Sequence, residues 1–306
     1  MIQDSQPSVP AARRGAPDAQ AFDSPSLGAR SAQDPKFDHQ GIPDVQGRGD
    51  VRGIPLQRAG VTGLRYPATA VDPDGVERPT IVELEMSVEV PAESKGTHMS
   101  RFVQLVQDDE RRLDADSLVD AARRMRELLD AKTGRIQVNF PLFFERAAPV
   151  SGEKGLVDVE CGLTAELTED GLDLVERVGV TVTSLCPCSK EISDYGAHNQ
   201  RGILTVEVRT HTDGDGAPVT IPVGELIHAA EESASCRVYP VLKRPDERWV
   251  TMEAYENPVF VEDMVRGTAE RLMADERVRW FRVHARNLES IHGHDAFAET
   301  EWTRPS

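Results

Sequence analysis

The densest set of reactive side chains in this 306-residue chain is the run SLCPCSKEISDYGAHNQRG, residues 184–202. It holds Cys186, Cys188, Lys190, Tyr195, His198, Asn199 and Arg201 together with two glycines. The run follows an apolar stretch with Val178, Val180 and Val182, and loops just beyond a strand end are where a rigid scaffold presents working groups. A thiolate and an imidazole both suit a borderline-soft divalent metal, and Gly196 lets the intervening chain fold back to join Cys186 with His198. Cys186 is then a metal ligand or a nucleophile. A buried Cys beside a surface His that only hydrogen-bonds is an equally good reading of these residues alone. There is no Cys-x-x-Cys pair, which argues against a structural four-cysteine zinc site.

A second cluster, KGTHMSRF at 95–102, supplies Lys95, His98 and Arg101 beside Gly96 and Thr97, a composition that lets the backbone approach an anion. Lys243 and Arg244 in YPVLKRPDE add positive charge, although solvated surface charge accounts for such residues more simply. Glu247 in the same segment is a candidate hard ligand. Glu262 falls near the start of an expected helix, where the helix dipole favours any acidic residue. His292 and His294 form a His-x-His pair, by itself a weak metal signal.

The elements that must position these groups follow from periodicity. In TIVELEMSVEV, Val82, Leu84, Met86, Val88 and Val90 alternate with polar residues. In LVDVECGLTAEL, Val157, Val159, Cys161, Leu163, Ala165 and Leu167 do the same. Period-two alternation with one polar face argues antiparallel sheet. Weaker strands are expected at 135–145, 177–184, 203–209 and 278–286. A helix is expected at 115–131, with Leu118, Ala122, Met125 and Leu129 on one face and Gly134 as its stop. A shorter one is expected at 223–234. A third is expected to open with Asn257 as N-cap and Pro258 at its first position, and to carry Val261, Val265, Thr268 and Leu272 on one stripe. Interleaved helices and half-exposed strands predict an antiparallel α+β fold.

Residues 1–42 are rich in Pro, Ala, Ser, Gln, Asp and Gly and lack apolar periodicity, so a disordered tail is expected there, with one globular domain over 43–306. The formal charge of −17 opposes general nucleic-acid binding, while a small anionic substrate needs only a local basic patch. No run of about 18 apolar residues spans a bilayer, and no apolar leader is visible, so a cytoplasmic protein with no membrane association is expected. Four cysteines are too few for a disulfide scaffold in a chain of this length.

The run at 184–202 closely resembles the signature of the type IB GTP cyclohydrolases. RGIPLQRAGVTGLRYP, KGTHMSRF, YPVLKRPDE, AYENPVFVEDMVR and NLESIHGH are similar to blocks of the same family in the same order. The resemblance covers about residues 43–306, and THTDGDGAPV at 210–219 looks like a loop elaboration upon it. It implies a bimodular tunnelling fold in which antiparallel sheets backed by helices close into barrels across a homo-oligomer, a tetramer, with active sites at subunit interfaces. It implies hydrolysis of GTP to 7,8-dihydroneopterin triphosphate and formate, the first step toward tetrahydrofolate.

The same resemblance implies roles for the residues. Cys186, His198 and Glu247 would hold a divalent ion (zinc, manganese or iron) that acidifies water for attack on guanine C8. Cys188, beside them, is expected to be a further catalytic residue. Glu262 would accept the ring N–H and exocyclic amine of guanine, and His292 or His294 would move protons during ring opening and formate release. The triphosphate contacts would come from Lys95, His98, Arg101, Lys190, Arg201, Lys243 and Arg244. A related tunnelling-fold reductase, which uses NADPH on a nitrile in queuosine synthesis, is the rival enzyme. A non-catalytic purine-nucleotide binder is the rival from another class.

Overall fold

The computed structural model describes residue 46 and residues 48–107, 112–213 and 217–305, so the expected tail at 1–42 lies outside the described residues. The elements run β1 (Leu56–Val71), β2 (Glu77–Val90), α1 (Met99–Gln107), β3 (Arg112–Leu113), α2 (Ala115–Leu129), β4 (Gly134–Ala147), β5 (Lys154–Thr168) and β6 (Gly171–Leu185). They continue with α3 (Pro187–Ile192), β7 (Asn199–Thr210), α4 (Val223–Glu231), β8 (Cys236–Arg237), α5 (Arg244–Glu256), α6 (Val261–Ala274), β9 (Val278–Leu288) and β10 (Ala296–Thr303).

The strands form one sheet in the order β10-β9-β7-β6-β5-β4-β2-β1-β3, with the short β8 pairing to β6 off this path. Every long pair is antiparallel, and only the two-residue β3 runs parallel to β1. The chain thus lays down a hairpin, helices and a second hairpin (β1β2, α1 and α2, β4β5), then repeats the pattern (β6β7, α4 to α6, β9β10).

Alternation sorts the two faces. Leu84, Val138 and Leu163 stand side by side across β2, β4 and β5, as do Met86, Ile136 and Ala165 in the next row. These residues face α2, whose Leu118, Val119, Ala122 and Met125 are buried, while α6 covers the other half with Met264, Val265, Thr268 and Leu272. Burying each large apolar side chain contributes about 1.5–3 kcal/mol, so this helix-backed face is where the fold gains its stability. The opposite face is polar and self-paired across strands. Arg135 reaches Glu85 at 3.4 Å and Glu166 at 3.5 Å, Arg209 meets Asp173 at 2.9 Å, and Arg282 meets Glu207 at 3.0 Å.

The expected strands and the expected helices at 115–131 and 223–234 are present, with α2 and α4 somewhat shorter than expected. Two boundary assignments need correction. The stop of α2 is Asp130, in the left-handed conformation at φ 51°, whereas Gly134 opens β4. Asn257 does not cap the third expected helix. It ends α5, and its Nδ2 donates to Ala234 O at 2.8 Å, while α6 begins three residues after Pro258 with Phe260 as N-cap.

Besides the two-residue strands β3 and β8 and the six-residue α3, four elements have no counterpart in the periodicity reading. Strand β1 hides because two register shifts reset its alternation, and Gly60 lies so close to β2 that a Cβ there would sit 1.8 Å from Met86 O. Helix α5 buries only Asp246 and Ala254, so its apolar stripe is faint. Helix α1 is short, and β10 is an edge strand with one face exposed.

Candidate active site

Strand β6 delivers Cys186 to the end of the sheet, and hydrogen bonds fasten that end from several sides. Leu185 N donates to the buried Ser235 hydroxyl at 2.9 Å, Thr183 Oγ1 to Cys236 O at 3.0 Å, and Ser184 Oγ to Val259 O at 3.0 Å. Val259 N returns to Leu185 O at 3.1 Å, which anchors the start of α6 one residue from Cys186. Leu185, Cys236 and Ala254 form a small apolar cluster with Ala197, Tyr239 and Val250, so α5 packs on the chain neighbours of both Cys186 and His198.

Cys186 itself is the N-cap of α3, and its Sγ accepts from Ser189 N at 3.4 Å. Its backbone N donates to His198 O at 3.1 Å. The Ser189 hydroxyl joins the two again, donating to Cys186 O at 3.2 Å and accepting from His198 N at 3.2 Å. Gly196, at φ 143°, is the position where the connecting loop turns back. His198 is half-buried, and its Nδ1 lies 2.9 Å from Gln200 Oε1. Residues two apart in an extended chain share a face, which places Gln200 beside His198 as β7 begins. Ser189 and Gln200 hold Cys186 and His198 in place and are positions that composition alone does not single out. The His-x-Gln spacing at a strand start is the signal that finds the second.

The remaining cysteines divide by environment. Burial pushes the Cys161 thiol up to about 12 and Cys236 up to about 11, so both are protonated packing residues. Cys188 is exposed on α3.

Glu247 occupies the first turn of α5 and is exposed. It precedes Val250 by three residues and Ala254 by seven, so it shares the helix face that packs toward Leu185 and Ala197. Beside it, Asp246 is wholly buried. Burial would raise its pKa, but the Ser151 hydroxyl and the amides of Ser151, Lys243 and Val150 outweigh that and hold its carboxyl well below the usual range. These bonds pin the N-terminus of α5 to the β4–β5 turn. Among the described residues, no three His, Cys, Asp or Glu side chains lie close enough together to hold a metal ion. The soft sulfur and imidazole donors are joined through the backbone, and the carboxylate stands apart from them.

Glu262 is exposed in the first turn of α6 and lines a groove between α6 and β10 with Val265, Arg266, Ala298 and Thr300. The cap contact belongs to its neighbour, since Asp263 Oδ2 accepts from Phe260 N at 3.1 Å. His292 and His294 are exposed on the β9–β10 loop with their rings stacked at 5.0 Å. Arg201 pairs with Leu288 beside that loop, so the pair overhangs the same sheet end as Cys186. Lys190 donates to Tyr255 O, lies 4.4 Å from the centre of the Tyr255 ring, and so ties α3 to α5. Lys243 is the N-cap of α5 and lies 4.0 Å from Glu153.

Lys95, His98 and Arg101 lie elsewhere. The end of β2 aligns through Val88 and Gly134 with Leu167 and Leu172, at the start of β6, whereas Cys186 follows the far end of β6. The span from Leu172 to Leu185 at the usual strand rise is about 40 Å. Within one chain the KGTHMSRF cluster and Cys186 therefore occupy opposite ends of the sheet. Arg101 Nη1 also donates to Leu128 O at 2.9 Å, closing the C-terminal turn of α2.

Comparison with known proteins completes the description. The family model for type I GTP cyclohydrolase folE2 matches residues 42–298. The GTP cyclohydrolase FolE2 of Paraburkholderia phymatum is 47% identical over 260 residues, which is 85% of this chain and 94% of that protein. The FolE2 of Herminiimonas arsenicoxydans is 49% identical over 85% of this chain and 97% of its own length. Among solved structures, uricase from Arthrobacter globiformis aligns over 81% of this chain and 94% of that one, with a TM-score of 0.47 at 10% identity. Since likeness to these relatives extends over nearly the whole folded part, from the first strand through the His292 loop, the chain belongs to the type I GTP cyclohydrolase FolE2 family.

Proposed function

We propose that this chain hydrolyses GTP to 7,8-dihydroneopterin triphosphate and formate at the Cys186 end of the sheet, as the first step toward tetrahydrofolate. The observation that carries this reading is the joining of Cys186 to His198 through the Ser189 hydroxyl, at the sheet end that also bears Glu262 and the His292–His294 loop. Cys186 and His198 would hold a divalent ion, zinc, manganese or iron, and Glu247, on the face of α5 that packs toward Leu185 and Ala197, would be its third donor. Such an ion would supply Lewis acidity and lower the pKa of water.

The chain's own residues do the rest. The Glu262 carboxylate accepts two donors on one guanine edge, which fixes the ring in register. His292 or His294 hands protons to and from the opening imidazole ring, whose C8 leaves as formate. Atoms balance with water alone, so no hydride donor is required, in contrast to the NADPH-dependent nitrile reductase. Cys188 lies on the exposed side of α3, where it serves the site less directly than Cys186.

Among the described residues the sheet ends at β10 on one side and at β1–β3 on the other, and an exposed strand edge is a template for pairing with another chain. That supports a tunnelling fold closed into a barrel in a homotetramer. The length of β6, about 40 Å, that separates the Cys186 end of the sheet from the Lys95 end supports active sites shared between subunits. Lys95, His98 and Arg101 of one copy then join Lys190, Arg201, Lys243 and Arg244 of another around the triphosphate. The setting is cytoplasmic, with no nucleic-acid or membrane partner. Among the described residues no helix is long and apolar enough to cross a membrane. Release of formate and appearance of pterin fluorescence from GTP without NADPH tests the reading. Nitrile reduction with NADPH, or GTP binding without turnover under any divalent metal, contradicts it.

A further inference from the structure

We propose that Gln200 is a positioning residue that fixes His198 in the tautomer with its proton on Nδ1, leaving the Nε2 lone pair as the donor presented to the site. The inference rests on the reading of His198 as a metal ligand for its purpose, but not for its geometry. Gln200 Oε1 stands 2.9 Å from His198 Nδ1, and a carboxamide oxygen can only accept, so with the amide in this orientation the ring proton sits on Nδ1. In a neutral ring that leaves Nε2 unprotonated. The free imidazole holds no such preference strongly, and the tautomer is set by whichever hydrogen bond the other nitrogen makes.

Gln200 is well placed to impose it. Gln200 is buried, with only 8% of the residue exposed, and its backbone pairs with the buried Ser184 in the register that also pairs Leu185 with Asn199. The ladder therefore sets where the amide group stands. His198 is held from the other side as well, because its backbone N donates to the Ser189 hydroxyl, which also donates to Cys186 O. The ring is thus constrained at its backbone by the Cys186 turn and at Nδ1 by Gln200. A His ligand whose second nitrogen donates to a fixed acceptor is oriented and made more basic, and loss of such an acceptor lowers metal affinity about 10–100-fold.

Two substitutions separate this role from packing. Gln200→Glu keeps an acceptor facing Nδ1, whereas Gln200→Leu keeps the bulk and removes it. The tautomer is read directly from the His198 ring ¹⁵N shifts in metal-free protein above pH 8. Cobalt(II) affinity of the same samples is read by titration, with the thiolate-to-cobalt absorption band reporting that Cys186 stays bound. The expected result is an Nδ1–H ring in wild type and Gln200→Glu, a mixture richer in Nε2–H in Gln200→Leu, and cobalt affinity reduced tenfold or more in Gln200→Leu alone. An Nε2–H ring in wild type, or unchanged ring shifts in Gln200→Leu, overturns the proposal. If His198→Ala also leaves cobalt binding untouched, the metal reading fails, and the ring shifts still decide whether Gln200 sets the tautomer.

Discussion

Replacing Glu262 by Gln separates two explanations of one exposed carboxylate. Were Glu262 present only to complement the α6 dipole, its removal would cost about 0.3–1 kcal/mol of stability and leave catalysis alone. The structure assigns the cap contact to Asp263, whose Oδ2 accepts from Phe260 N at 3.1 Å, and leaves Glu262 exposed with the dipole effect alone. If Glu262 anchors guanine, the neutral amide offers one acceptor and one donor where two acceptors are needed. One charge-assisted hydrogen bond is lost, worth about 1.5–3 kcal/mol, and a donor is left facing a donor. At about 1.4 kcal/mol per decade, kcat/KM falls on the order of 10²-fold or more, at nearly unchanged melting temperature and metal content. Asp263→Asn is the control, expected to weaken the cap and lower the melting temperature while sparing kcat/KM. Steady-state pterin fluorescence and thermal melts of both variants give the comparison. Glu262→Gln kinetics within a factor of about two of wild type, or a catalytic loss that follows Asp263 instead, would show that Glu262 does not anchor guanine.

Cys186→Ala should lower GTP turnover by several orders of magnitude and reduce bound metal, whereas the exposed Cys188→Ala should be milder. The reverse order, read by turnover and metal analysis, would show that the wrong cysteine has been assigned. Burial pushes Glu176 up to about 7 against the opposing influence of Ile221 N and the Arg277 charge. The unfolded chain therefore gives up this proton near pH 4.5 while the folded one keeps it to about 7, so stability falls as pH rises through that window, by about 3 kcal/mol at most. Glu176→Gln should remove this fall, and denaturant unfolding at pH 5 and pH 8 that shows the same loss in both proteins would contradict the assignment. Because the Lys95 cluster and Cys186 lie at opposite sheet ends, Cys186→Ala co-assembled with a Lys95→Ala, His98→Ala double variant should recover turnover that neither shows alone. Absence of recovery in verified hybrid oligomers would count against sites shared between subunits.

The sheet was legible in the sequence where one face packs on helices without interruption, as in β2 and β5, because burial there enforces strict alternation. It was not legible in β1, where register shifts and the close approach of Gly60 to Met86 O break the period. Helix α5 escaped for a related reason. It is held by the buried Asp246 and its four hydrogen bonds rather than by an apolar stripe, and hydropathy cannot register that kind of anchoring. For the site, residue types exposed Cys186 and His198, but the bridge between them runs through Ser189, a residue type too common to attract notice. Spacing also could not show that KGTHMSRF belongs to the other end of the sheet. Only strand register gives that placement.

If Cys186 and His198 hold a divalent ion required for GTP hydrolysis, chelation followed by metal add-back should abolish and then restore turnover. The protein is stripped of metal, supplied with GTP, and followed by pterin fluorescence and formate release as zinc, manganese or iron(II) is restored, with Cys186→Ala alongside. The expected result is no turnover in the stripped protein, recovery at about one equivalent of metal per chain in wild type, and none in Cys186→Ala. Full turnover in the stripped protein, or equal recovery in Cys186→Ala, would contradict it.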